Sequence, residues 1–141
     1  MKKELLLTAM ITASITTTGF ASNLDISATT TAPLSMKNSI AYGGNNKVEK
    51  GMFSPVNNIL LGGDNNTVRP SASNSITSGM NNTASGPGSI VAGWYNTNSA
   101  THSLVVGTSN TVGGTNNIVG GFGHANNDNA INSLLIGNRN S

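Results

Sequence analysis

The chain has 141 residues, of which Asn, Gly, Ser and Thr supply 72. Charged residues make up 9%, aromatics 4%, the formal net charge is +2, and there is no cysteine. This composition excludes a disulfide framework or thiolate metal site. It departs from an ordinary globular enzyme, of which about a quarter is charged, and it lacks the clustered basic stripe of a nucleic-acid binder.

The N-terminus reads as an export signal. Lys2 and Lys3 precede an apolar stretch from Leu5 to Ile15, and Gly19-Phe20-Ala21 supplies small residues at a cleavage site. The pattern predicts a secretory signal peptide over residues 1–21, too short for a membrane span. Glu4 is unusual so close to the apolar run. Loss of Lys2, Lys3 and Glu4 on cleavage leaves a net charge of +1, so the basic precursor says little about partners. Residues 22–37, rich in Thr and Ala and closed by Pro33, read as a flexible or extended leader.

From residue 38 to 141 the chain repeats itself. Seven words of four residues share one frame: Ile40 to Gly43, Ile59 to Gly62, Ile76 to Gly79, Ile90 to Gly93, Leu104 to Gly107, Ile118 to Gly121 and Leu134 to Gly137. Ser or Asn precedes every one, and the glycines are spaced 19, 17, 14, 14, 14 and 16 residues apart. A second word follows each of the first six: Asn46 to Val48, Asn66 to Val68, Asn82 to Ala84, Asn98 to Ala100, Asn110 to Val112 and, less cleanly, Asn129 to Ile131. Fixed periods of this length are the signature of stacked repeats. Gly and Asn tolerate positive φ at bends, so each period predicts strand, turn, strand, turn. The expected fold is all-β: a parallel β-solenoid, or β-roll, of about seven coils of 14–19 residues, with Asn amide ladders between coils and an end at Ser141 inside a coil.

Side chains alternate faces along a strand. The first position of the word is always Ile or Leu and is expected to fill the roll's interior. The second position is apolar in all but one coil, the exception being Thr77. A strand apolar on both faces needs cover on its outer side. Leu60, Val91, Val105, Val119 and Leu135 are therefore the candidate contacts between sister chains, in a closed three-fold packing.

The words Asn38-Ser39-Ile40-Ala41-Tyr42-Gly43, Asn74-Ser75-Ile76-Thr77-Ser78-Gly79, Ser103-Leu104-Val105-Val106-Gly107 and Asn132-Ser133-Leu134-Leu135-Ile136-Gly137 resemble the head repeats of trimeric autotransporter adhesins, the YadA-like or Hep/Hag type. The resemblance covers residues 38–141. It implies a left-handed parallel roll, a homotrimer, and a non-enzymatic head at a bacterial surface that binds host matrix protein, glycan or cells. The paired asparagines and the long first coils depart from that pattern. So does the lack of any stretch that reads as a coiled-coil stalk or membrane barrel, which makes a fragment, a truncated product or an unanchored secreted head the expectation.

Other chemistry is thinly represented. Glu49, Asp64 and Asp128 are the acids of the repeat region. Asp64 and Asp128 fall four coils apart, unsuited to the paired carboxylates of a glycosidase. His102 and His124 lack a third ligand for a metal and read as solvated turn residues. No catalytic residue, cofactor or metal is expected. Trp94, Tyr95 and Phe122 follow strand-ending glycines; they are candidate contacts for sugar or protein, with packing across a chain interface or over the roll's edge favoured. Met52-Phe53 is a candidate cap over the first coil. Rival expectations are a phage tail-fibre segment, against which the export signal speaks, and an ice- or surface-binding solenoid. The latter needs regularly spaced Thr on one face, whereas Thr67, Thr83 and Thr111 appear interrupted by Lys47 and Ser99.

Overall fold

The computed structural model describes residues 24–25, 40–41, 43–49 and 59–140. The expected signal peptide and the candidate cap Met52-Phe53 lie outside them. For Ile40, Ile59, Leu60 and Gly62 only the backbone is described.

Among the described residues fourteen strands follow in chain order. The first seven are β1 (Leu24–Asp25), β2 (Ile40–Ala41), β3 (Lys47–Val48), β4 (Ile59–Asp64), β5 (Thr67–Val68), β6 (Ile76–Met80) and β7 (Thr83–Ala84). The rest are β8 (Ile90–Trp94), β9 (Thr97–Asn98), β10 (Leu104–Thr108), β11 (Thr111–Val112), β12 (Ile118–Phe122), β13 (Ala125–Asn126) and β14 (Leu134–Asn138). No helix occurs among the described residues. One sheet runs β1-β2-β4-β6-β8-β10-β12-β14 and the other β13-β11-β9-β7-β5-β3, with every pairing parallel. The chain thus passes from one sheet to the other and back in each period. This is a β-solenoid, with about five full turns running from β4 to β14, somewhat fewer than the seven expected. Leu24–Asp25, inside the expected leader, pairs with Ile40–Ala41 and extends the first sheet.

The repeat frame is the stacking register. Leu104 lies opposite Ile90 and Ile118, and Gly107 opposite Gly93 and Gly121. Ile76 with Gly79 and Leu134 with Gly137 continue the same rows. One frame assignment needs correction: Gly63, not Gly62, pairs with Gly79, because the register shifts between Leu60 and Gly63. The insertion is absorbed as a bulge inside β4. These glycines are demanded by geometry. Gly107 has φ +127°, and a Cβ there would run into the carbonyl of Gly121 in the next coil.

Two of the second words also shift. Thr97 pairs with Thr83 and Thr111, so the fourth coil reads Asn96-Thr97-Asn98 rather than Asn98 to Ala100. In the sixth coil Ala125 pairs with Thr111, so His124-Ala125-Asn126 takes the place assigned to Asn129 to Ile131. The bend between the sheets fixes this. From Gly43, Gly63, Gly79, Gly93, Gly107, Gly121 and Gly137 the chain always takes three steps to an Asn or, once, His124. The residue before that Asn or His holds positive φ in every one of these bends, 51° to 58° at Asn45, Asn65, Asn81, Tyr95, Ser109 and Arg139 and 68° at Gly123.

Two buried polar ladders tie the coils together. In the first, Oδ1 of Asn96 accepts the Asn110 backbone N–H at 3.1 Å and Asn110 Nδ2 at 3.0 Å. Asn96 Nδ2 donates to Gly107 O at 2.9 Å. Asn46, Asn66 and Asn82 repeat the pattern upstream, as expected for an amide ladder. The second ladder uses the residues that precede each first word. The backbone N–H of Ser103 donates to Ser89 Oγ at 3.1 Å, that of Asn117 to Ser103 Oγ at 3.0 Å, and that of Ser133 to Asn117 Oδ1 at 2.9 Å.

These inward serines set which face is which. With Ser89 and Ser103 pointing in, alternation puts Ile90 and Leu104 out and Val91 and Val105 in. Val91, Val105 and Val119 are 0% exposed, whereas Ile90, Leu104 and Ile118 are 42%, 37% and 48% exposed. This facing is the reverse of the one the apolar pattern predicts. Val91, Val105 and Val119 form the core and are closed to a sister chain, and half-buried Leu135 packs against that core. The interior of so short a coil is built from Val, Ala, Ser, Thr and Asn; the bulkier Ile and Leu of position one stand outside.

Candidate functional site

The described residues of the solenoid offer three outward surfaces, built of rows that repeat at the ~4.8 Å spacing of neighbouring strands. The first sheet presents an apolar face. Ile90, Leu104, Ile118 and Leu134 stand in one register row, and Ala92, Val106, Gly120 and Ile136 in the next. Leu134 and Ile136 are each 66% exposed, and Val106 is exposed as well. The signal for this face was present in the sequence as the alternation that starts at each preceding Ser or Asn.

The second surface runs along the bend at the end of the first sheet: Met80, Trp94, Thr108, Phe122 and Asn138. Trp94 and Phe122 occupy equivalent places two coils apart, as the sequence frame implied, about 10 Å from one another. Tyr95 follows Trp94 with φ 56°. All three aromatics are exposed. Arg139 places its guanidinium 5.7 Å from the Phe122 ring centroid, within cation–π range.

The third surface lies on the second sheet. Thr67, Thr83, Thr97 and Thr111 stack in consecutive coils between Lys47 and Ala125. The apparent interruption of the Thr spacing by Ser99 disappears once Thr97 is placed in the row. Each Thr is followed by an inward residue, Val68, Ala84, Asn98 or Val112, all buried. The strand chemistry therefore holds the hydroxyl side outward.

The titratable groups are dispersed. Lys47 and Glu49 form a 3.1 Å ion pair at the surface. Asp128 Oδ1 lies 3.4 Å from Ser99 Oγ. His102 sits exposed at the second bend with φ 51°. His124 is not the solvated turn residue expected: it is 1% exposed and stands in the asparagine ladder. Among the described residues no three His, Cys, Asp or Glu side chains gather into a metal-binding group. No family model, curated protein or solved structure matches the chain.

Proposed function

We propose that the protein is the exported, non-catalytic head of an adhesin-like surface protein, assembled as a homotrimer. The observation that carries this reading is the exposed apolar face of Ile90, Leu104, Ile118, Leu134, Val106 and Ile136. Soluble monomers rarely leave large contiguous apolar patches uncovered. Three copies packed through this face around an axis parallel to the stack close the assembly. The Thr row, on the other sheet, then remains outside. Such a head works by avidity: identical rows on three sides present many weak contacts to a matrix protein, glycan or cell surface.

The test is light scattering after size exclusion, on residues 22–141 and on Leu104→Asp. The expected result is a trimer for the parent chain and a folded monomer for the variant. A folded monomeric parent chain sinks the trimer and most of the adhesin reading. Binding of the parent trimer, but not the variant monomer, to a collagen- or fibronectin-coated surface supports avidity.

The Thr row favours a second reading, a solenoid that binds ice or another ordered surface. Four hydroxyls repeat at ~4.8 Å on a parallel sheet. Inhibition of ice recrystallisation by the parent chain, lost in Thr97→Tyr, is the outcome this reading requires.

A further inference from the structure

His124 is built into the fold as a substitute for asparagine. Its backbone N–H donates to Asn110 Oδ1 at 3.0 Å, as each ladder residue does to the one before it. Its Nε2 lies 3.1 Å from Gly120 O and 3.1 Å from Gly137 O. Those are the places where Asn96 Nδ2 meets Ala92 O and Gly107 O. Its Nδ1 accepts the backbone N–H of Asn140 at 3.0 Å, which is the work of Oδ1 in the other coils. Two carbonyls at Nε2 and an N–H at Nδ1 fix the neutral tautomer with its hydrogen on Nε2.

We propose that His124 is a proton-operated latch on the segment Gly137–Asn140. An asparagine rung works the same way across the ordinary pH range, whereas imidazolium has two donors and no acceptor. A proton on Nδ1 meets the Asn140 N–H head on. The one carbonyl near it, Asn140 O, is 3.4 Å from Nδ1 and already accepts from the Ala125 N–H at 3.3 Å. Among the described residues no carboxylate lies within 4.0 Å of the ring nitrogens. The neighbouring rungs are the amide of Asn110 and the carbonyls of Gly120 and Gly137. Arg139, beside Asn140, turns its guanidinium to the outside of the bend, against the Phe122 ring. Asp128 lies on the second sheet's outer side, against Ser99 and Gly113. Protonation therefore loosens the bend from Gly137 to Asn140 and bares the edge from Phe122 to Ala125, while the rest of the stack stays closed.

Amide hydrogen exchange on the full chain tests this, comparing about pH 8 with about pH 5, the span over which histidine changes charge. After correction for intrinsic rates, the amides of Arg139, Asn140 and Ala125 should lose about tenfold in protection at the acid end, the equivalent of one lost hydrogen bond. Those of Thr83 and Ser99, in earlier coils, should not change. In His124→Asn all of them should hold constant. Equal acid sensitivity in His124→Asn, or constant protection in the parent chain, overturns the latch. Nitrogen chemical shifts of the His124 ring at the neutral end give a second readout independent of any variant: hydrogen on Nδ1 rather than Nε2 also overturns it.

Discussion

Two glycines of neighbouring coils provide a paired test of what fixes the stack. Gly107 has φ +127°, and an added Cβ would collide with Gly121 O while lying 2.9 Å from Gly121 C and N. That carbonyl cannot swing aside freely, because it accepts from Asn110 Nδ2 at 3.2 Å. Alanine at 107 thus imposes backbone strain of ~1–3 kcal/mol and threatens a buried amide whose loss costs a further ~1–3 kcal/mol. The expected destabilisation is about 2–6 kcal/mol, a large part of the ~5–15 kcal/mol that holds a typical domain together. Gly120 has no positive φ, and a Cβ there meets nothing within 4 Å. Alanine at 120 should raise stability by ~0.5–1 kcal/mol, through the lower entropy of its unfolded chain. Urea titration followed by far-UV circular dichroism, at one fixed protomer concentration, measures both. The stacking argument fails if the two substitutions shift the midpoint alike, or if Gly107→Ala leaves it unmoved.

Three further substitutions probe the interior and the surface. Thr77 is fully buried with no partner for Oγ1, in the row that holds Val91 and Val105; Thr77→Val should gain ~1–2 kcal/mol in the same titration. Val105→Asp places a charge in the core and should abolish the cooperative transition, unlike Leu104→Asp on the outer face. The Lys47–Glu49 pair is well exposed on the lysine side, so Lys47→Ala should change stability by less than ~0.5 kcal/mol.

Much of the architecture was legible because repetition makes register visible. The Ile and Gly rows, the parallel stacking, the Asn ladder and the equivalence of Trp94 with Phe122 all follow from one frame. Facing was misread for a physical reason. Ile and Leu are the most apolar residues of the word, and bulk suggests burial, yet a two-sheet coil of fourteen residues has room inside for little more than Val, Ala, Ser and Asn. The residue that decides facing is the polar one before the word, Ser89 or Ser103, whose hydroxyl accepts a backbone N–H from the next coil. The shifts at Asn96 and His124 have a similar origin. Asn98 matches the second word as text, but the bend from Gly93 counts three steps to Asn96. His124 was hidden because an imidazole standing in for an amide has no signature except its distance from Gly121.

The distribution of residues between the two outer faces is the strongest physical asymmetry in the molecule. Both sheets need residues that favour extended backbone, and both have an outward position in every coil. On the second sheet that position is Lys47, Thr67, Thr83, Thr97, Thr111 and Ala125, all but the last with a side chain able to bond water. On the first it is Ile90, Leu104, Ile118 and Leu134, where Thr would serve strand propensity almost as well. Local structure therefore does not require the apolar choice. Nor does the core, which Val91, Val105 and Val119 fill from the other side of the same strands. Within one coil the ladders leave each Asn Oδ1 waiting for the N–H of the next, so cohesion along the axis is polar and nearest-neighbour. Apolar rows running parallel to that axis pack along their own ladder but leave Ile90, Leu104 and Ile118 42%, 37% and 48% exposed in a single chain. The surface still exposed gains free energy by meeting another apolar surface, and in the proposed trimer a sister copy would supply it.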